Sequence, residues 1–152
     1  MIEWQWAAFG QLMTDELYQV LRLRQQVFIV EQTCIYEDID GLDQDAWHLI
    51  GWRVDEGGSR TVAAYLRVLN PGVKYKEASI GRVMVSQAER GTGLGKALMR
   101  QAMTIMNEKL LTRSIRISAQ QHLEAFYLEF GFKRVSEPYD EDGIPHIEML
   151  KV

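Results

Sequence analysis

Three glycines alternate with other residues in the stretch Arg90-Gly91-Thr92-Gly93-Leu94-Gly95-Lys96. The residues before it predict a strand over 79–86, and apolar residues at helical spacing after it predict a helix over 94–110. Glycine has no Cβ, so its backbone N–H can approach a ligand closely. A helix N-terminus adds unpaired N–H donors and a positive partial charge. The stretch therefore predicts a binding site for phosphate or pyrophosphate.

Two widespread phosphate-binding patterns do not fit this stretch. The P-loop pattern GxxxxGK[ST] fails because Gly91 and Gly95 are one residue too close, and because Ala97 stands where a metal-binding hydroxyl is needed. The dinucleotide pattern GxGxxG fails because no glycine follows Gly93 and Gly95 at the third required position. The pattern [QR]-x-x-G-x-[GA], by contrast, matches residues 90–95 in full.

This third pattern is the acyl-CoA-binding loop of the GNAT N-acetyltransferases, and the sequence resembles that family over residues 79–135. Val83-Met84-Val85 ends a strand five residues before Arg90, as the thioester-side strand of the family does. Downstream, Phe126-Tyr127-Leu128-Glu129-Phe130-Gly131-Phe132 is similar to the family's FYxxxGF segment.

Further segments resemble the ElaA-like subfamily and extend the similarity to the whole chain. They are Met1-Ile2-Glu3-Trp4, Val27-Phe28-Ile29-Val30-Glu31-Gln32, Asp38-Ile39-Asp40-Gly41, His48-Leu49-Ile50-Gly51-Trp52, Ile80-Gly81-Arg82-Val83 and Glu141-Asp142-Gly143-Ile144-Pro145-His146-Ile147.

The resemblance implies an α/β layered GNAT fold in a single domain over residues 1–152. We expect a central mixed sheet of about seven strands, flanked by three or four helices. Two parallel strands, 79–86 and 113–119, should splay apart. The other predicted strands are 2–9, 47–54, 61–69, 132–137 and 144–152, and the other helices are 14–31 and 123–130.

The family's cofactor is acetyl-CoA, with CoA as product, and the resemblance places it along the splayed strand and the glycine loop. Main-chain groups of the strand would hold the pantetheine arm as an added strand does. Arg90 and Lys96 would add positive charge, although Lys96 also fits a solvated helix position. The implied cofactor-binding residues are Val83, Met84, Val85, Arg90, Gly91, Thr92, Gly93, Leu94, Gly95, Lys96, Gln120 and Tyr127.

Acyl transfer by direct attack in a ternary complex needs a proton donor for the departing thiolate. Tyr127 matches the family's tyrosine in that role, although its spacing to Phe126 and Phe130 also fits a core aromatic. The base that deprotonates the amine is open among several residues. The candidates are Glu31, His48, Glu141 and His146. Each also fits a purely structural role: Glu31 can end a helix, and His48 can form a hydrogen-bonded pair within a strand. Glu141 can be a solvated loop residue, and His146 can hold the last hairpin together.

The chain has 17 Lys and Arg against 21 Asp and Glu, a net charge of −4. Nine acidic residues fall in two runs. These runs would attract a cationic amine, small molecule or peptide, although two solvated loops fit them equally well. They are Glu37, Asp38, Asp40, Asp43 and Asp45, and Glu137, Asp140, Glu141 and Asp142.

Several classes of protein do not fit this composition. The net acidity disfavours a nucleic-acid-binding face, and no apolar run approaches the roughly 20 residues that span a membrane. The three histidines lack metal-ligand spacing, so we expect no metal site. The single cysteine, Cys34, cannot form an internal disulfide, and no signal peptide is evident, so we expect a cytoplasmic protein. Homodimers are the commonest assemblies, but no sequence feature defines an interface.

Two alternative functions stay open at this point. The same fold could serve as a non-catalytic acyl-CoA-binding sensor or a partner-binding module. A longer acyl donor is the second alternative, because Arg24-Gln25-Gln26-Val27-Phe28 faintly resembles the start of the acyl-homoserine-lactone synthases. The short chain and the loop at residues 90–95 favour acetyl-CoA.

Overall fold

A computed structural model describes all 152 residues, which form eight strands and three α-helices. The strands are β1 (Ile2–Ala8), β2 (Ala46–Val54), β3 (Arg60–Leu69), β4 (Ser79–Val85), β5 (Ile115–Gln120), β6 (Lys133–Arg134), β7 (Tyr139–Glu141) and β8 (Ile144–Lys151). The helices are α1 (Thr14–Arg24), α2 (Leu94–Lys109) and α3 (Glu124–Leu128).

Contacts divide the chain into two compact units. The first comprises residues 1–68 and 82–98, and the second comprises residues 69–81 and 99–152. The single domain over residues 1–152 stays a prediction. No helix combines the length and the apolar composition needed to cross a membrane.

The strands form two four-stranded sheets rather than one sheet of seven. The first has the order β1-β2-β3-β4, and the second has the order β5-β8-β6 with β7 also paired to β8. One parallel bridge, between Ala78 and Ile115 in the second unit, marks the start of the predicted splayed pair. The ladder does not extend beyond this bridge, so β4 and β5 are assigned to different sheets.

The core of the first unit forms between the N-terminal helical segment and one face of its sheet. Val20 and Val27 pack there with Ile50, Trp52 and Tyr65. The predicted helix over 14–31 ends as an α-helix at Arg24 and continues as a π-helical turn, Gln25–Glu31. Because π-helical turns are rare and occur mostly as single turns inside α-helices, apolar periodicity predicts the commoner α-helix here.

In the second unit, β8 is the central strand of the sheet. It pairs with β5 so that Ile117 faces Met149 and Ala119 faces Ile147, and all four side chains are buried. The predicted strand 132–137 is reduced to Lys133–Arg134, and β7 was not predicted. An Asp-Gly pair between two short extended runs is a strong hairpin signal, and Asp142-Gly143 is such a pair: both residues have positive φ, 53° and 83°.

Candidate functional site

The glycine loop has the open left-handed backbone that its sequence predicts. Gly91 and Gly93 have φ of 81° and 83°, and no atom beyond the adjoining residues lies within 4 Å of a Cβ placed on either. A non-glycine residue in this region costs roughly 1–2 kcal/mol. The loop runs directly into α2, whose first turn contains Gly95 and begins at the buried Leu94. The backbone therefore combines open N–H groups with a helix N-terminus, an arrangement that suits a phosphate.

The strand before the loop presents a main-chain edge that no other strand of its sheet pairs. β4 is the outermost strand of its sheet, so its outer edge carries polar groups that the sheet does not pair. Met84 is buried in the core, while Val83 and Val85 are half-buried. This edge and the glycine loop both belong to the first unit.

Within β4, Arg82 has the left-handed φ of 53° that a non-glycine residue rarely adopts. Its guanidinium is held from two sides: Nε donates to Asp38 Oδ1 at 2.8 Å and Nη2 donates to the Asp38 carbonyl at 3.0 Å. The guanidinium also lies 5.5 Å from the centre of the Tyr36 ring. A strained residue therefore directly precedes the main-chain edge and is fixed by the acidic segment.

Arg90 contacts two other predicted site residues. Its Nε donates to the Val85 carbonyl at 3.2 Å, and its Nη1 lies 2.8 Å from Glu31 Oε2. Glu31, a candidate base, thus contacts a candidate phosphate ligand. The Thr92 hydroxyl donates a hydrogen bond to the Glu89 carbonyl at 2.6 Å. Lys96 is exposed in the first turn of α2.

The first acidic run is largely neutralised by arginines. Arg24, which is fully buried, lies 3.0 Å from Asp38 and 2.8 Å from Asp43, and Arg67 binds Asp40 and Asp43. Burial acts to raise the pKa of Asp40, but hydrogen bonds from Arg67 outweigh it and lower this pKa to about 2. Arginines therefore offset three of the five negative charges of this run, whereas Glu37 and Asp45 are exposed. The run is not a freely solvated loop.

His48 lies inside this network with 1% of its surface exposed. Its Nε2 donates to the Asp43 carbonyl at 2.9 Å, and its Nδ1 accepts from the Tyr65 hydroxyl at 2.6 Å. Burial lowers the pKa of His48. The ring is therefore neutral and has no ring nitrogen left for a substrate proton.

Tyr127 is buried in the second unit, on α3. Its ring packs edge-on against Phe126 at 5.1 Å and against Phe132 at 6.0 Å. Burial alone raises the pKa of Tyr127 to about 12, so the hydroxyl keeps its proton at neutral pH. Gly131, with φ of 91°, follows the helix and ends it in the left-handed conformation that favours glycine.

A polar cluster in the second unit surrounds His146. Its Nδ1 donates to the Ile144 carbonyl at 2.8 Å, and its Nε2 lies 3.2 Å from Glu141 Oε2. Ser118 lies 2.5 Å from the Tyr139 hydroxyl and donates to Glu141 at 3.5 Å. Gln120, predicted at the cofactor edge, stands opposite His146 in the strand register. Ser118 and Tyr139 were not predicted as site residues, and only the β7–β8 hairpin signal could have placed Tyr139 beside His146.

No group of three or more His, Cys, Asp or Glu side chains in the chain has the arrangement of a metal site. The polar clusters described above are instead held by hydrogen bonds and by pairs of opposite charge.

Sequence comparison identifies relatives along the whole chain. A family model described as an acetyltransferase (GNAT) domain matches residues 43–152. Protein ElaA of Escherichia coli strain K12 is 42% identical over 153 residues, which covers 99% of this chain and 97% of that protein. A UPF0039 protein of Synechocystis is 42% identical over 149 residues, which covers 98% of this chain and 94% of that protein.

Structure comparison agrees with these matches. The crystal structure of an acyl-CoA N-acyltransferase from Pseudomonas aeruginosa has a TM-score of 0.91 at 42% identity, with 100% of both chains covered. The crystal structure of Escherichia coli ElaA has a TM-score of 0.90 at 41% identity, again with 100% of both chains covered. The α/β GNAT fold predicted from the sequence is confirmed. The chain belongs to the GNAT acetyltransferase family, with ElaA proteins among its near relatives, and is an acyltransferase of that type.

Proposed function

We propose that the protein transfers an acetyl group from acetyl-CoA to the primary amine of a small-molecule or peptide acceptor. The observation that carries this proposal is that the outermost strand of the sheet, which ends at Val83–Val85, continues into an open glycine loop and a helix N-terminus. The Pseudomonas relative is described as an acyl-CoA N-acyltransferase, which supports the same donor class.

The residues of the first unit fit an acyl-CoA molecule. A Cβ on Gly91 or Gly93 would project into the open space that a pyrophosphate needs. The exposed Lys96 supplies positive charge in the first turn of α2, and Arg90, which is paired with Glu31, lies at the start of the loop. Main-chain groups of Val83 and the Val85 N–H can pair with the amides of a pantetheine arm, while the Val85 carbonyl accepts from Arg90 Nε. When bound, acetyl-CoA supplies the activated thioester; the protein supplies orientation and proton transfer.

The transfer reaction requires three contributions from the protein. The acceptor amine must lose a proton, because an alkylammonium group with a pKa near 10.4 has no free lone pair. A main-chain N–H near Val85 would stabilise the developing oxyanion. Tyr127 would donate its hydroxyl proton to the departing thiolate.

Among the candidate bases, the local contacts favour His146 with Glu141. Glu31 is held by Arg90, and both ring nitrogens of His48 have partners inside the first unit. Because His146 Nδ1 donates to a carbonyl, its Nε2 is the basic nitrogen, and the Glu141 carboxylate lies beside it. The half-exposed Glu141 can receive the amine proton and share it with this nitrogen.

The proposal that the acceptor is cationic depends mainly on the second acidic run, residues 137–142. Because arginines neutralise Asp38, Asp40 and Asp43, the run over 137–142 is the stronger source of attraction. We also propose a cytoplasmic location, supported by the single cysteine Cys34. A homodimer remains a general expectation.

A panel of amines incubated with acetyl-CoA tests this function by mass detection of a product heavier by one acetyl group. We expect cationic amines to be acetylated with stoichiometric release of thiol. Binding of acetyl-CoA without product on any amine would instead support a non-catalytic sensor. If longer acyl-CoA donors react faster than acetyl-CoA, the donor of this enzyme is a longer acyl-CoA.

A further inference from the structure

We propose that Asp38 is a positioning residue for the acyl donor: it clamps Arg82 in its left-handed conformation and so sets the main-chain edge of Val83–Val85. The inference rests on the proposed function, because that edge is the proposed seat of the pantetheine arm. It assigns a role to the acidic segment that differs from attraction of a cationic acceptor.

The position of Arg82 makes it the residue that controls the edge. It lies in β4 immediately before Val83, and its φ of 53° turns the chain at that point. A left-handed residue inside a strand changes the direction of the peptide groups that follow it. A non-glycine residue keeps this conformation only where its surroundings hold it.

Asp38 supplies that hold with both its side chain and its backbone. Its Oδ1 accepts from Arg82 Nε at 2.8 Å, and its carbonyl accepts from Arg82 Nη2 at 3.0 Å. Two donors from separate parts of one planar guanidinium fix its orientation as well as its distance. Only 10% of the Asp38 side chain is exposed, so water competes little for these bonds.

Asp38 is itself anchored from the opposite side. Arg24, which is fully buried, donates from Nε to Asp38 Oδ2 at 3.0 Å and from Nη2 to the Asp38 carbonyl at 2.7 Å. The chain of contacts therefore runs from the end of α1 through Asp38 to Arg82 and the strand edge. Every residue in this chain belongs to the first unit.

Asp40 provides a matched comparison within the same network. Its carboxylate is bound by Arg67 at 2.8 and 2.9 Å, but it reaches Arg82 only at 3.4 Å. Replacing Asp40 removes a negative charge from the same ionic network and leaves the main contacts of Arg82 intact. A general loss of network stability would thus affect both variants, whereas loss of the clamp would affect only Asp38→Asn.

The test compares two ligands by isothermal titration calorimetry. Acetyl-CoA uses both the strand edge and the glycine loop, whereas ADP carries the pyrophosphate without a pantetheine arm. We expect Asp38→Asn to weaken acetyl-CoA binding about tenfold, since misplaced binding groups lose much of their effect. ADP affinity should change by less than about twofold, because the loop is a separate site. Asp40→Asn should leave the ratio of the two affinities unchanged.

Arg82→Gly provides a second variant if Asp38→Asn does not fold. Glycine accepts the left-handed backbone without steric cost but removes the clamp, so it should cause the same selective loss of acetyl-CoA affinity. Equal losses for both ligands, or no loss of acetyl-CoA affinity in either variant, would overturn the inference. If the wild-type chain binds ADP but not acetyl-CoA, the proposed function fails first, and the inference fails with it.

Discussion

At the scale of single residues, Tyr127 is the clearest test of the chemistry. Its pKa of about 12 keeps the hydroxyl protonated, and its packing against Phe126 and Phe132 fixes the ring. We expect Tyr127→Phe to lower kcat about 100-fold, the usual contribution of a proton donor. Acetyl-CoA affinity should stay nearly unchanged, because the ring is retained. Thiol release with an accepted amine measures the rate.

Tyr18→Phe is the matched control for this substitution, because it removes a hydroxyl from an exposed tyrosine on α1. It should leave kcat unchanged. If Tyr127→Phe turns over as fast as this control, Tyr127 is a core aromatic and not the proton donor.

His48 makes the stability of the protein depend on pH. Burial lowers its pKa in the folded state below the unfolded value of about 6.5. Its contribution to stability is therefore fully present above about pH 6.5 and is lost as the pH falls from there toward the folded pKa. We expect the free energy of unfolding, measured in urea, to decrease between pH 7.5 and pH 5.

His48→Gln should flatten this slope, although it lowers stability at every pH. The lowered pKa values of Asp40 and Asp43 change the stability only near and below the unfolded aspartate pKa of about 3.9. They therefore contribute little to the slope between pH 7.5 and pH 5. The exposed His122→Gln serves as the control and should keep the wild-type slope. A slope that survives in His48→Gln would assign the pH dependence to other groups.

At the scale of elements, the glycine loop predicts a position-specific response to alanine. Gly93→Ala forces a side chain into the left-handed region and should destabilise the fold by roughly 1–2 kcal/mol. It should also weaken acetyl-CoA binding, because the new methyl group projects into the open loop. Gly10→Ala is the control: this glycine has neither a positive φ nor a neighbour within 4 Å of a Cβ. Equal effects of the two changes on urea unfolding would contradict the role of the backbone.

The buried ionic network is the second feature at this scale. Arg24→Met removes one of the two arginines that bind each of Asp38 and Asp43 and leaves a buried network with an unbalanced negative charge. It should destabilise the protein by roughly 3–5 kcal/mol, as for other broken buried pairs. Arg22→Met, on the exposed side of the same helix, should change stability little. Chemical denaturation measures both. A small effect of Arg24→Met would mean that water reaches the two carboxylates.

The sequence predicts elements well where a pattern has a single structural meaning. The glycines at 91 and 93 are such a pattern, and their positive φ matches the structure. The paired arginines and aspartates were not predicted, because Arg24, Arg67 and Arg82 are far apart in sequence and meet only after folding. The acidic run therefore resembled a solvated or substrate-facing loop until its partners were known.

At the scale of the whole molecule, the net charge of −4 conceals an uneven distribution. In the first unit, three arginines offset three aspartates, while Arg90 and Lys96 lie at the glycine loop. The family could be predicted from the loop and the FYxxxGF segment, since both are local patterns. The base could not, because Glu31, His48 and His146 differ only in contacts that folding creates.

Direct titration of the wild-type chain with acetyl-CoA tests the central claim most directly. If the open glycine loop and the edge of Val83–Val85 form an acyl-CoA site, calorimetry should show saturable binding of one acetyl-CoA per chain, and Gly93→Ala should weaken it while Gly10→Ala does not. Absence of heat and of any shift in melting temperature at millimolar acetyl-CoA and CoA would contradict the account.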